Sequence, residues 1–187
     1  MPIEFLEKYG KYVMITGVRN VKISNPEPII EQLRRIDSTV ESQILDAKSI
    51  AGMDHLRFAA LNALKAHAEG KQVTGSLAVE ILLYASGQRQ IKNAIASLGV
   101  SFHSRNVAVI GIADERNSLE KFKAKLPDIM DGELDESILE EGEEANIRRL
   151  FNITETQMKT MIGRNATKRE GLTKLVIEKM ALLSSQA

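Results

Sequence analysis

A short polar cluster lies between two apolar helical patterns near the middle of the chain. Its members are Gln88, Arg89, Gln90, Lys92 and Asn93. The cluster carries two positive charges and falls where a second helix begins, and the first turn of a helix leaves backbone N–H groups without partners. Such a place attracts anions, phosphate above all. The alternative interpretation is that the cluster is only the solvated outer face of a helix pair packed into the core.

Residue types that catalyse reactions are few. The 187 residues include no cysteine and only three histidines, which lack the spacing of a zinc-protease motif. The stretch 70–76 has two glycines but no lysine after the second, so it does not fit a phosphate-binding P-loop. The carboxylates lie in a solvated run rather than in the apolar surroundings that raise a pKa for acid–base catalysis. We therefore expect a protein that is not an enzyme and that holds no metal and no cofactor.

Charge is balanced over the whole chain but not along it. Formal net charge is zero, which by itself indicates neither nucleic-acid nor membrane binding. Bases outnumber acids between residues 54 and 105, whereas residues 128–144, the acidic segment, contain nine carboxylates and no lysine or arginine. Two such regions can serve two partners. The alternative for the acidic segment is a solubilising face or mobile loop over about residues 127–145, with a helix from about Asp135.

The N-terminus has neither the basic start nor the apolar run of a signal peptide, and no apolar stretch is long enough to span a bilayer. We expect a cytoplasmic protein without a membrane partner, folded as a single domain over residues 1–187.

Three strands and several helices are predicted around the cluster. The strands are residues 12–18, 40–47 and 107–113, of which the last is a continuous apolar run typical of an interior strand. The helices before and after the cluster are about 28–37, 54–69 with Asp54 as N-cap, and 115–126 ended by Pro127. The first strand, helix and second strand form a β-α-β opening.

The cluster itself is predicted to lie on a tight helix pair over about residues 77–99. Two apolar faces follow the i, i+3, i+4, i+7 spacing. They are Ala78, Ile81, Leu82 and Ala85 in the first helix, and Ile91, Ala94, Ile95 and Leu98 in the second. Gly87 and Gly99 are expected to end the two helices in the left-handed conformation, and Ser86 to cap the second.

Two capping-box patterns, Thr154 with Gln157 and Thr167 with Glu170, predict the last two helices. One face of the final helix is apolar. Its residues are Leu172, Leu175, Val176, Met180 and Leu183. We expect this face to pack on the rest of the chain, and the alternative is a helix that fills a groove of a partner.

The segment 80–99 resembles the hallmark of the TPRKB/CGI family, a subunit of the KEOPS complex. The matching residues are Glu80, Ile81, Leu82, Ser86, Gly87, Arg89, Gln90, Ile91, Ala94, Ile95 and Gly99. Shorter matches before and after it, such as residues 43–47 and 176–182, extend the resemblance over nearly the whole chain. Residues 50–75 and 163–171 depart from the pattern by being longer.

The resemblance implies an α+β fold in which a small mixed sheet is packed by several helices, the helix pair and the C-terminal helix among them. It also implies a non-catalytic subunit of the complex that makes threonylcarbamoyladenosine on tRNA, without a small-molecule substrate of its own. In that family this subunit binds the PRPK-type kinase/ATPase subunit and recruits tRNA through its 3′ CCA end. The alternative is a kinase-binding scaffold or allosteric regulator that does not touch RNA.

Within this resemblance we predict that Arg89 and Gln90 contact the 3′ end of tRNA. Lys92, Arg57 and Lys65 are predicted to support them electrostatically. The alternative is that a carboxylate such as Glu80 holds Arg89, which would then only brace the turn between the two helices.

Overall fold

The computed structural model describes residues 3–163 and 167–185, apart from the side chains of 183 and 184. The strands are β1 (Glu4–Leu6), β2 (Lys11–Arg19), β3 (Glu41–Asp46), β4 (Val107–Ala113) and β5 (Glu133–Leu134). The helices are α1 (Pro26–Ile36), α2 (Met53–Ala68), α3 (Leu77–Ser86), α4 (Ile91–Leu98), α5 (Arg116–Met130), α6 (Glu144–Phe151), α7 (Glu155–Ile162) and α8 (Lys168–Ser185). The predicted α+β class is confirmed.

Strand β4 is the centre of the sheet. All seven of its residues are buried, and it pairs with β2 on one side and with β3 on the other. The strand order is β1-β2-β4-β3, and β5 pairs with the far end of β2. The prediction of an interior strand at 107–113 is confirmed, and β3 is left at an edge of the sheet.

Every ladder between the described strands is antiparallel, whereas the resemblance implied a mixed sheet. The reason lies in the β-α-β opening. Strands β2 and β3 do run parallel to each other, as that opening requires, but β4 enters between them and runs opposite to both.

The two faces of the sheet are covered by separate hydrophobic cores. Alternate residues of β4 face them, so that Ala108 and Ile110 lie in the larger core while Val107 and Val109 lie in the smaller. Residues of α1 and α5 fill the smaller core, and the remaining helices contribute to the larger. A strand that is covered on both faces has no polar side, which explains the continuous apolar run.

Two helix boundaries differ from the predictions. Helix α2 begins at Met53 with Gly52 at the N-cap position, rather than at a capping Asp54. Helix α5 continues through Pro127 to Met130. Proline costs a hydrogen bond within a helix, but the last turn of α5 places the fully buried Met130 in the smaller core, and this burial favours continuation.

The acidic segment contains the end of α5, strand β5 and a 3₁₀ turn at Glu136–Glu140, where an α-helix was predicted. Within that turn Ile138 and Leu139 are 1% and 0% exposed and lie in the larger core. The segment therefore contributes packing as well as charge. Its mobility stays a prediction.

The C-terminal helix packs on the chain itself, as expected. Both capping boxes form, since the side chains of Thr154 and Gln157, and of Thr167 and Glu170, bond each other's backbone N–H groups. The apolar face of α8 is buried in the larger core through Leu172, Leu175, Val176 and Met180. Leu183 lies outside the described side chains.

Candidate functional site

The predicted polar cluster lies on an exposed corner between α3 and α4, residues 87–93. Gly87 has φ 64°, and its N–H donates to the Tyr84 carbonyl over 3.1 Å, while the Gln88 N–H donates to the Leu83 carbonyl over 3.2 Å. These two bonds form a Schellman motif, which ends a helix at a left-handed residue. The prediction for Gly87 is confirmed.

The second glycine has a different role. Gly99 has φ −66°, so the predicted left-handed conformation is wrong. A Cβ at Gly99 would lie 2.5 Å from the carbonyl oxygen of Ile95. The position therefore needs glycine because the last turn of α4 approaches it closely, and helical spacing alone does not distinguish this from a left-handed cap.

The start of α4 lacks a side-chain cap. Ser86, the predicted cap, is instead the last residue of α3, is fully buried and donates its hydroxyl to the Leu83 carbonyl. Gln90 occupies the N-cap position, and its side chain accepts no bond from the α4 backbone. The first N–H groups of α4 consequently keep no side-chain partner within the described part of the chain, which leaves them available to an anion.

Arg89 and Lys92 are exposed and form no ion pair or hydrogen bond with any described residue. Glu80, the alternative partner predicted for Arg89, forms hydrogen bonds with other residues. The Glu80 side chain is 1% exposed, and its carboxylate accepts the N–H groups of Val73 and Thr74 and the Thr74 hydroxyl. The interpretation of Arg89 as a brace held by Glu80 is therefore wrong.

The structure does not bring the two predicted supporting bases to the corner as free charges. Both nitrogens of the Arg57 fork bond the Glu4 carboxylate, over 2.9 and 2.6 Å, and this contact lowers the pKa of Glu4. Arg57 thus ties α2 to the edge strand β1.

The other base, Lys65, lies towards the far end of α2. His55 near the start of α2 bonds the Ala85 carbonyl near the end of α3, so the two helices meet there. Lys65 follows His55 by ten residues, about 15 Å along the helix axis. It is exposed, but distant from Arg89.

A groove opens beside the corner, and the sequence did not predict it. Ile91 and Ile95, expected in the core, are 44% and 54% exposed and line a cavity of about 430 Å³ between α1, β3, α3 and α4. Strand β3 contributes Ser42, Gln43 and Ile44 to its wall, and the exposed Arg34 lies on its rim. An apolar stripe looks the same in sequence whether it faces the core or a groove. The groove could therefore be predicted only from the edge position of β3 in the sheet.

The acidic segment has little free charge. Arg19 bonds both Asp135 and Glu141 over 2.6 Å, and hydrogen bonds from Ser137 and Arg19 lower the pKa of Asp135 to about 2. Further ion pairs join the segment to bases distant in sequence. These are Lys22–Asp131, Lys123–Glu136, Lys168–Glu144 and Arg169–Glu140. Six of the nine carboxylates thus form ion pairs with described residues.

A family model described as "Kinase binding protein CGI-121" matches residues 18–184. This chain belongs to the CGI-121 family. The match contains the corner, the groove residues and the acidic segment, whereas β1 and the Glu4 partner of Arg57 precede it.

Two curated CGI-121 relatives, both archaeal, have similar sequences. The regulatory protein Cgi121 of Methanocaldococcus jannaschii is 34% identical over 143 residues, covering 75% of this chain and 85% of the relative. The KEOPS complex subunit Cgi121 of Pyrococcus abyssi is 29% identical over 124 residues, covering 66% of this chain and 67% of the relative.

The described residues contain no group of three or more His, Asp or Glu side chains able to hold a metal ion. No helix among them is both long and apolar enough to cross a membrane.

Proposed function

We propose that this CGI-121 chain is a non-catalytic subunit of a KEOPS complex, which forms threonylcarbamoyladenosine on tRNA. In this proposal it binds the PRPK-type kinase/ATPase subunit and recruits tRNA through the 3′ CCA end. The family description and the name of the Pyrococcus abyssi relative support the assembly. The observation that carries the RNA proposal is the guanidinium of Arg89, which bonds no described residue and lies beside the uncapped first turn of α4.

The corner has the groups that a terminal nucleotide requires. The first N–H groups of α4 and the Arg89 guanidinium can hold one phosphate together, because both present donors to an anion. The Gln90 side chain stands at the same helix start and can bond a base or ribose edge. No long track of phosphates is needed, which agrees with a chain of zero net charge.

The groove has surfaces suited to the bases that follow. Ile91 comes directly after Gln90, and with Ile95 it presents apolar surface to solvent along α4. Unstacked bases of a single strand bind by laying their faces on such surfaces, while nearby cations hold the backbone. Arg34, which lines the groove and is exposed, supplies a further cation. A single-stranded end is thus favoured over a duplex, which cannot enter a cavity of this kind.

A gel-shift comparison of whole tRNA with tRNA lacking its CCA end tests the proposal. We expect tighter binding of the whole tRNA, and Arg89→Ala should remove most of the difference. Lys125→Ala is the matched control, because Lys125 is exposed on α5, across the sheet from the corner, and loses one charge likewise.

The opposite result is equally informative. Equal binding of the two tRNAs would contradict recruitment through the CCA end. Absence of binding to either tRNA, while the kinase subunit still co-purifies, would contradict RNA recruitment altogether. It would support the kinase-binding scaffold instead.

A further inference from the structure

His55 lies directly behind the corner and has no part in the proposed contacts with RNA. Its side chain is fully buried in the larger core. Nε2 lies 2.7 Å from the carbonyl oxygen of Ala85, and Nδ1 accepts the Ala51 N–H over 3.0 Å. Since a carbonyl cannot donate, the proton sits on Nε2, and both nitrogens of the neutral ring are satisfied.

The bond to Ala85 satisfies a third carbonyl at the end of α3. The last four carbonyls of a helix have no donor within it. The Leu83 and Tyr84 carbonyls accept the N–H groups of Gln88 and Gly87, and the Ala85 carbonyl accepts the imidazole. The last turn before the corner is therefore tied to α2 as well as to itself.

Phe151 at the end of α6 contacts both His55 and Gly87. Its ring meets the His55 ring edge to face, with centroids 5.5 Å apart at 79°. It also lies so close to Gly87 that a Cβ there would be 3.1 Å from the Phe151 ring. The imidazole and the αL glycine are thus held by one aromatic side chain.

We propose that His55 is a positioning residue for the corner. Its Nε2–H, braced by Phe151, fixes the direction in which residues 87–90 leave α3, and so the direction in which Arg89 and Gln90 face RNA. This inference rests on the proposed function, because it assigns His55 to the same binding site.

Two substitutions distinguish the effects of the two hydrogen bonds that the His55 ring forms. In His55→Gln the side-chain amide reaches as far as Nε2 and can still donate to Ala85. In His55→Asn the shorter amide matches the position of Nδ1, so it can accept from Ala51 but cannot reach Ala85. Both variants lose the ring and its packing on Phe151, and both should lower the melting temperature.

We expect these variants to differ in two measurements on the folded full chain. His55→Asn should weaken binding of whole tRNA by about fivefold, the effect of one hydrogen bond, while His55→Gln restores it to near the wild-type value. Hydrogen exchange at the Gly87 and Gln88 amides should rise in His55→Asn and less in His55→Gln. Leu126→Ala, in the core on the other side of the sheet, should lower stability without changing either measurement.

Equal RNA affinity and equal exchange in the two His55 variants would overturn the proposal. So would an affinity unchanged in His55→Asn while Arg89→Ala weakens binding. Faster exchange in His55→Asn together with no effect of Arg89→Ala would keep His55 as the support of the corner and reject the proposed function. If His55→Asn does not fold, Phe151→Leu replaces it, and unchanged exchange at Gly87 in that variant would overturn the proposal.

Discussion

The corner and the acidic segment are both concentrations of charge in the sequence, but the fold uses them in opposite ways. Arg89 and Lys92 project into solvent and bond no described residue. The carboxylates of the acidic segment instead meet bases from five other places in the chain, Arg19 and Lys123 among them. The charge of the corner therefore faces solvent, whereas most of the charge of the acidic segment is neutralised by ion pairs within the described part of the chain.

This difference shows what a run of charge can and cannot indicate. A local excess of one sign is visible in the sequence, but its neutralisation depends on residues that only the fold brings near. Arg19 and Asp135 are 116 residues apart and bond over 2.6 Å, because β2 and the turn at Glu136–Glu140 lie together. Free charge can therefore be identified only after the long-range pairs have been assigned.

The largest expected effect is in the acidic segment and concerns stability alone. Leu139→Ala removes a fully buried side chain from the larger core, and we expect a loss of about 2–5 kcal/mol in the free energy of unfolding. Urea denaturation measures it. Binding of tRNA, measured well below the melting temperature, should not change. A large loss of tRNA affinity in the folded variant would show that the acidic segment belongs to the binding surface. It would then contradict the difference between the segment and the corner.

Acid should lower the stability of the protein in two separate pH ranges, one set by His55 behind the corner and one by Asp135 in the acidic segment. Burial lowers the pKa of His55 to about 4, below its ordinary value of 6.5, so the unfolded chain binds a proton that the folded chain does not. His55 therefore leaves the free energy of unfolding unchanged above pH 6.5. Between pH 6.5 and pH 4 it lowers that free energy, by up to about 3 kcal/mol. The pKa of Asp135 is lowered to about 2 from 3.8, so its stabilising pairs are lost only below pH 4.

Denaturation curves at pH 7, 5 and 3 distinguish these windows. His55→Gln should flatten the dependence between pH 7 and 5, and Asp135→Asn the dependence below pH 4. A wild-type stability that is constant from pH 7 to 5 would show that buried His55 does not remain neutral while the unfolded chain protonates.

The sequence predicted well whatever depends on local pattern. The interior strand, both capping boxes and the left-handed Gly87 follow from neighbours within a few residues, and all are confirmed. The strand order could not be predicted, because insertion of β4 between β2 and β3 is a pairing over more than 60 residues.

The candidate site was predicted only in part for the same reason. Arg89, Gln90 and Lys92 share one turn, so their grouping is local. The pairing of Arg57 with Glu4 and the distance of Lys65 from the corner depend on how α2 packs. The groove depends on β3 being an edge strand, and His55 gave only the weak signal of a polar residue within an apolar helical stripe.

A crossed pair of arginine variants sharpens the comparison. Arg89→Ala should weaken binding of whole tRNA by about 1–3 kcal/mol, the range for a charge-assisted hydrogen bond, at an unchanged melting temperature. Arg19→Ala should do the reverse, because it breaks two ion pairs at the acidic segment and touches nothing at the corner. Thermal melts give the melting temperature of each variant, and gel shifts give its affinity for whole tRNA. A lower melting temperature for Arg89→Ala, with proportionate loss of every partner, would mean that Arg89 is structural.

The smallest expected effect concerns Lys92 and is read from salt dependence rather than from affinity. A cation that contacts one phosphate of a single strand releases counterions, so Lys92→Ala should flatten the plot of log affinity against log salt by about 0.7. Lys65→Ala is the matched comparison, since Lys65 is equally a lysine with an exposed side chain but lies about 15 Å along α2 from the corner end. We expect no change of slope for Lys65→Ala. An equal change would show that Lys65 also lies near the bound RNA, in agreement with its predicted role as electrostatic support, and that the RNA surface extends beyond the corner.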